Sequence, residues 1–474
     1  MDSLNNGPIF VDLDGTFTKT DLLLESFLIA FKENPFIVVR CIIWLMISRE
    51  MLKSKLSVLA DIDPHTLPLN EKFYAYLMSE KKNGRQIYLA TAANEKYAKS
   101  ITKSFEIFDG YISSSDKVNL KGKKKLKRIK EMCNTFSYAG NEIVDFEIFK
   151  EAQESILVNP SPKVRKQSLN INIDKTFDYH QSSLKDWIRQ ARVHQWAKNL
   201  LIFVPLIVSG LFYKTDSISL AVMAFFAFSF LASATYILND ALDLESDRNH
   251  TRKRYRPLAS GVIPIKEGML GALALFVLSA LISLFIGISF STILVGYLIL
   301  TLSYSFVIKQ YIGMDVVCLA LLYTVRILAG AAAIEVVVSY WLFAFSIFVF
   351  ISLALVKRCS EIQSMQAEGK SRAKGRDYTI DDYSVLEGFG TSSAMLSVLM
   401  FCFYINNNAL TDQYQQPDTL WLIVPALSYW LMRMWIKTRR GEMHDDPIVF
   451  SLKDKGSLTT IGFCCFIALL AQIL

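Results

Sequence analysis

Asn239-Asp240-Ala241-Leu242-Asp243-Leu244-Glu245-Ser246-Asp247 stands where an apolar run, 217–238, comes to an end. Read as helix, Asn239, Asp243 and Asp247 fall at i, i+4 and i+8, and Asp240 reaches Asp243 and Asp247 at i+3 and i+7, so the four polar groups share one stripe. Three like charges on one face repel unless divalent cations bridge them, and Mg2+ held by a few carboxylates together with substrate phosphates is the natural ligand set. Arg248, Arg252, Lys253, Arg254 and Arg256 follow, five cations within nine residues, which suits several phosphate groups. Acids and cations together point to a diphosphate handled at the edge of a membrane.

Outward from this stretch the chain reads as lipid-spanning. Nine apolar segments, 197–213, 217–238, 267–287, 289–307, 311–333, 336–356, 388–406, 418–435 and 457–474, approach the ~20 residues a bilayer core needs. The loops between them are asymmetric. Loops 239–266, 308–310, 357–387 and 436–456 carry six, one, six and six Lys or Arg, counting Arg433 with the last, whereas the other four loops together carry only Lys214. An excess of basic residues marks the cytoplasmic side. The expectation is a multi-pass protein of a bacterial inner membrane, with the N-terminal domain in the cytoplasm and the C-terminus outside.

The first 158 residues differ. Short apolar runs, Ile9–Asp12, Gln86–Ala90 and Ile156–Val158, alternate with helical stretches, the pattern of parallel strands with crossover helices. The stretch 159–185, with two prolines, several basic residues and no sustained period, reads as a linker. Of the 474 residues, 52% are apolar and 20% charged, which excludes a purely soluble, disordered or coiled-coil chain. The net charge of +7 is too modest to suggest a nucleic-acid binder. The seven cysteines form no C-x-x-C pair, so neither a zinc site nor a disulfide framework is indicated. Phe36–Ile47 is apolar but for Arg40 and too short to span; it is either a helix buried in its domain or one lying on the membrane surface.

In Val11-Asp12-Leu13-Asp14-Gly15-Thr16 two carboxylates one residue apart follow an apolar strand and face one way if the chain stays extended. A second strand ends in Ala90-Thr91-Ala92, Lys121 to Lys125 form a basic cluster, and Tyr138-Ala139-Gly140-Asn141 leads to Asp145. These elements, in this order, resemble the haloacid-dehalogenase (HAD) phosphohydrolase superfamily over residues 7 to 158, with a helical cap between about 17 and 80. The resemblance implies Asp12 as the nucleophile that takes a phosphoryl group and Asp14 as the acid and base. It also implies that Thr91 and either Lys121 or Lys125 hold the phosphate, and that Mg2+ is held by Asp12, Asp14, Asn141 and Asp145. Asn141 departs from the Asp often found there; its oxygen can still serve the metal, with less negative charge.

The pattern N-D-x-x-D-x-x-x-D followed by Arg256-Pro257-Leu258-Ala259-Ser260-Gly261 resembles the UbiA superfamily of intramembrane prenyltransferases, which implies an all-helical bundle of nine spans over 186–474. Arg192 to Asn199, Tyr323 to Gly330 and Leu355 to Glu361 resemble the polyprenyl-phosphate phosphoribosyltransferase branch. That likeness implies a donor, 5-phosphoribosyl 1-diphosphate, whose diphosphate is held through Mg2+ by Asn239, Asp240, Asp243 and Asp247. Lys198, Asn199, Arg252, Lys253, Arg254, Arg256, Lys357, Arg358 and Glu361 would bind phosphates or close the site, with polyprenyl phosphate as acceptor. Arg326, inside the fifth segment, is either paired with Asp315 or Glu335 or placed on substrate phosphate, since an unpaired charge there is costly. Two other readings stay open: prenyl transfer from a polyprenyl diphosphate to a small or aromatic acceptor beside an independent phosphatase, and a non-catalytic lipid-binding scaffold.

Overall fold

The computed structural model describes residues 7–115, 119–178, 181–367, 369, 377–407, 414–443 and 446–473. The chain divides into two compact units: residues 1–190 with 237–271, and residues 191–236 with 272–474. Lys370, Arg372, Lys374 and Arg376, which supply most of the basic excess expected of loop 357–387, lie outside the described residues.

The first unit is built on a six-stranded parallel sheet: β1 (Ile9–Val11), β2 (Ile87–Asn94), β3 (Gly110–Ser114), β4 (Ser137–Gly140), β5 (Glu154–Val158) and β6 (Lys175–Phe177), in the order β3-β2-β1-β4-β5-β6. Ile9, Phe10 and Val11 are wholly buried, as a central parallel strand covered on both faces requires. The strand order reverses between β1 and β4, and a crevice forms outside the carboxyl ends of strands at such a point. Asp12 and Asp14 follow β1, Thr91 lies near the end of β2, and Asn141 follows β4, so topology alone gathers them. Helices Leu22–Glu33, Ile37–Ile47, Arg49–Leu59 and Glu71–Lys82 fill the interval between β1 and β2.

Two expectations change here. The stretch 159–185 is not a plain linker: Ser161 caps helix Pro162–Ser168 through its hydroxyl, and β6 adds a strand beside β5. Phe36–Ile47 is not buried either, since of helix Ile37–Ile47 Ile37 and Cys41 are buried and Trp44 is partly buried against them, while the other face is exposed.

The second unit is helical. Among the described residues eight helices are long and apolar enough to cross a membrane: Thr215–Leu242, which runs on into the first unit, Ile265–Ile286, which begins there, Ile288–Phe306, Met314–Ala333, Tyr340–Ala367, Ile380–Ile405, Pro417–Arg439 and Lys455–Ile473. The ninth expected segment, 197–213, instead forms a 3-10 helix Val193–Phe203 followed by the short α-helix Val204–Val208, with Pro205 in its first turn. Leu281, Leu284 and Phe285 are exposed, as residues facing lipid are.

Candidate functional site

In the first unit, Asp12 leaves β1 with its N–H donating to Ala139 O on β4, at 2.9 Å. Its Oδ1 accepts from Lys125 Nζ at 2.8 Å. Lys125 is delivered by helix Lys123–Lys130 and is 3% exposed, so of the two candidate lysines it is the one that meets Asp12. Lys121 pairs with Glu142 at 2.7 Å instead. Burial pushes the Asp12 carboxyl up to about 6 against the pull of Lys125. The same burial, with Asp21 nearby, pushes Asp14 up to about 8. Asp14 Oδ1 accepts from Leu22 N at 3.0 Å, at the start of helix Leu22–Glu33, where helix N–H groups favour an anion. A carboxyl that carries a proton near neutral pH, beside one that is largely ionised, is the pairing that divides acid from nucleophile. Thr91 is buried and accepts from Ala93 N at 2.9 Å, leaving its hydroxyl proton to donate.

The fit to a metal rests on Asn141. Its Oδ1 is buried without a hydrogen-bond partner, and its amide packs on Gly15, where an added Cβ would lie 2.1 Å from Nδ2. An unsatisfied carbonyl oxygen near two carboxylates suits a hard cation, so Asp12, Asp14 and Asn141 are the residues that would hold Mg2+. Asp145 takes a different part. Its Oδ1 accepts from Tyr138 Oη at 2.9 Å and its Oδ2 from the N–H groups of Asn141 and Glu142 at 3.1 and 2.9 Å. It holds the Asn141 loop in place. Two residues not picked out from sequence join the site. Tyr138 Oη also accepts from Lys125, at 2.9 Å. Lys53, from helix Arg49–Leu59, donates to Ala92 O at 2.8 Å and to Asn119 Oδ1 at 3.2 Å.

The acidic stretch belongs to the same unit. Helix Thr215–Leu242 stops one residue before Asp243, and a short helix Leu244–Arg248 follows, so the expected single stripe is broken at Asp243. Asp240 and Asp247 converge: Arg256 Nη1 donates to Asp240 Oδ1 at 2.9 Å and to Asp247 Oδ2 at 2.6 Å. Both carboxylates therefore lie within reach of one cation, and burial lifts the Asp247 carboxyl despite Arg256. Asp243 pairs with Lys32 at 2.6 Å. Among the described residues no group of three or more acidic, His or Cys side chains is arranged to hold a metal ion. The pair Asp240 and Asp247, not the set of four with Asn239 and Asp243, is what converges. Gln190 was not anticipated: it donates to Asp240 Oδ2 at 2.9 Å and accepts from Leu258 N at 3.1 Å, tying the acid to the Pro257 turn. Arg252, Lys253 and Arg254 are exposed.

In the second unit the cations gather around Tyr323. Lys198 and Arg326 lie over its ring at 5.9 and 5.6 Å, and its hydroxyl donates to Asp446 Oδ2 at 2.8 Å. Asp446 also meets Lys198 at 2.8 Å and Lys357 at 3.6 Å. Burial would raise its carboxyl, but the two lysines hold it well below the usual carboxylate range. Asn199 Oδ1 accepts from Arg326 Nε at 2.9 Å. Three cations against one carboxylate leave a buried positive excess that suits an anion. Arg326 is not paired with Asp315, which is taken by Arg358 at 2.7 Å. Arg358 also meets Glu361 and Tyr304 and is 1% exposed, so Arg358 builds the core, while Glu361 is 36% exposed. Asp446 caps helix Pro447–Ser451 through its carboxylate on Ile448 N, and Asp446-Pro447 in the sequence signals that helix start but not the cations that meet it.

A parallel α/β domain, membrane-length helices and an acid-and-cation loop together define a multi-pass membrane protein of the transferase class. Residues 202–455 match the UbiA prenyltransferase family, and the chain belongs to that family. It is 36% identical over 454 residues to the uncharacterized protein y4nM of Sinorhizobium fredii, covering 95% of this chain and 88% of that protein. It is 30% identical to the nodulation protein NoeC of Azorhizobium caulinodans, over 57% of this chain and 88% of that one. The decaprenyl-phosphate phosphoribosyltransferase of Mycolicibacterium smegmatis is 30% identical over 56% of this chain and 86% of its own length.

Proposed function

We propose that the chain carries out two steps on one lipid: transfer of 5-phosphoribose from 5-phosphoribosyl 1-diphosphate to polyprenyl phosphate, then removal of the 5-phosphate to leave polyprenyl-phosphoryl ribose. Support for the first step comes from the relative that bears the phosphoribosyltransferase name and from the acid and cation sets just described. Asp240, Asp247 and Arg256 bind the donor diphosphate, and Lys198, Arg326 and Lys357 bind lipid phosphate. Mg2+ on the two acids would offset the charge of the departing diphosphate. The acceptor is already an anion, so the chain needs no strong base, and its fixed charges act on the charge that develops at ribose C1.

In the second step Asp12 attacks the 5-phosphate, Lys125 and Thr91 hold its oxygens, and Asp14 delivers a proton to the leaving ribose oxygen, then takes one from water. The reading is carried by one observation: the Asp12 site and the Asp240 pair belong to one compact unit, joined by Glu25 to Arg248 at 2.6 Å and Lys32 to Asp243 at 2.6 Å. A site that makes a phosphomonoester beside one that cleaves it raises the local concentration of the intermediate. We also assign the protein to a bacterial inner membrane, spanning it nine times when the shorter apolar segment Val193–Val208 is counted with the eight long helices, with both sites cytoplasmic and the C-terminus outside.

The test uses purified protein in lipid with labelled 5-phosphoribosyl 1-diphosphate and polyprenyl phosphate. A ribosyl lipid without the 5-phosphate is expected, and no sugar-bearing lipid at all contradicts the reading. Membership of the UbiA prenyltransferase family favours a second reading, prenyl transfer from a polyprenyl diphosphate to a small acceptor. A labelled prenyl diphosphate offered without sugar donor separates the two.

A further inference from the structure

The most exposed apolar surface of the first unit is on helix Ile37–Ile47 and its flanks. Phe36 is 81% exposed, Met46 82% and Ile47 63%, with Val39, Ile42 and Ile43 also exposed. Ile37 and Cys41 point inward, against Ala30 and Leu56. The helix is therefore two-sided, with one face fixed to its domain and the other bare. Eleven residues are far too few to span a bilayer, and a bare apolar face of this kind marks a docking surface.

Its position says what it docks on. The preceding helix, Leu22–Glu33, is fastened to the segment 237–271 by Glu25 with Arg248 and by Lys32 with Asp243. Asp243 comes one residue after Leu242, where a membrane-length helix ends. Phe36 is four residues beyond Lys32, a reach of at most about 14 Å of chain. The bare face thus starts within a short distance of where a span leaves the lipid. From Phe36 to Leu59 the chain carries Arg40, Arg49 and Lys55 against Glu50, Lys53 being turned to Ala92 O and Asn119, a basic border that complements anionic headgroups.

We infer that helix Ile37–Ile47 lies in the headgroup layer of the same membrane, apolar face down, and anchors the phosphate-handling domain to an anionic bilayer surface. This does not depend on which reaction the chain performs. The full chain is reconstituted in phosphatidylethanolamine and phosphatidylglycerol vesicles, where the phosphatidylglycerol bears a photoactivatable group near the top of its acyl chain. After illumination, lipid adducts are mapped by mass spectrometry. Adducts are expected on residues 36–47 as well as on the spans, and not around Met132, an exposed apolar residue elsewhere in the unit. The double substitution Ile42→Ser with Met46→Ser should cut adducts on 36–47 at least tenfold, leave those on the spans unchanged, and leave hydrogen exchange in β1 unchanged. Adducts confined to the spans overturn the inference. Protein crosslinks joining this helix in two copies, in place of lipid adducts, overturn it too, because the face would then be covered by a second chain.

Discussion

The guanidinium of Arg248 grips the carboxylate of Glu25 with both outer nitrogens, at 3.0 and 2.6 Å, across 223 residues of chain. The two side chains are 6% and 5% exposed. Thr20 donates to the same carboxylate, and Arg248 Nε donates to Ala259 O at 3.0 Å. A cap helix near the phosphatase-like site and the loop that carries the Asp240 pair are thereby one mechanical piece. Removing one partner of a buried pair strands the other charge, at a cost of about 3–5 kcal/mol. Glu25→Gln should therefore raise hydrogen exchange through 243–264 and in helix Leu22–Glu33, while Glu25→Leu combined with Arg248→Met recovers most of the protection. Unchanged exchange in Glu25→Gln would show that the pair does not hold the loop.

Lys125 is the cation on Asp12 and Lys121 is not. Lys125→Met should lower hydrolysis of a simple phosphomonoester about 100-fold or more, whereas Lys121→Met, which loses only an exposed pair with Glu142, should change it less than about threefold. Steady-state hydrolysis of p-nitrophenyl phosphate distinguishes them, and equal losses would return the assignment to the open choice that sequence leaves.

Asp12 and Asp14 give the metal-free first unit a definite pH response. Their folded values, about 6 and about 8, lie above the unfolded carboxylate value near 4. The folded state therefore binds more protons over this range, and stability must fall as pH rises from about 4 through 8. With a chelator, protection of β1 and β4 against hydrogen exchange should decline over that interval. Added Mg2+ should restore it most at the alkaline end, where both acids are ionised. A protection profile rising with pH in chelator would mean that the two acids are not buried as described.

Arg358 and Lys357 are adjacent but should behave differently. Arg358→Leu leaves Asp315, 0% exposed, with a charge its remaining partner Tyr378 cannot balance, so stability should drop by about 3–5 kcal/mol. The further change Asp315→Leu should recover much of it. Lys357→Met should keep the fold and raise KM for the lipid phosphate about tenfold. Thermal unfolding in detergent and lipid-dependent kinetics check the pair; a kinetic defect with normal stability in Arg358→Leu would make Arg358 a site residue after all.

What could be read in advance follows from local chemistry. Asp12, Asp14 and Thr91 sit at the ends of strands whose apolar runs are plain, and the parallel order brings them together without further information. Asp240 and Asp247 were legible as a pair of acids on a helix, but not the interruption at Asp243, whose carboxylate pairs with Lys32, 211 residues away. Glu25, Gln190 and Asp446 were invisible for the same reason: nothing near them in the chain announces their partners. The helix Pro162–Ser168 is different. Ser161 followed by Pro162 is a helix start, with a capping hydroxyl and proline in the first turn, and the prolines that suggested a linker were part of that signal. The segment 197–213 was apolar enough to span, yet most of it folds as a 3-10 stretch followed by a short α-helix with Pro205 in its first turn, a conformation that hydropathy alone does not register.

The most direct measurement compares native protein with Asp12→Asn, each given labelled 5-phosphoribosyl 1-diphosphate and polyprenyl phosphate in lipid, with the extracted lipids read by mass spectrometry. Native protein should yield the ribosyl lipid lacking the terminal phosphate, and Asp12→Asn should accumulate the same lipid still phosphorylated, in similar total amount. An identical product from both proteins, or a product carrying no sugar, would contradict the two-step account.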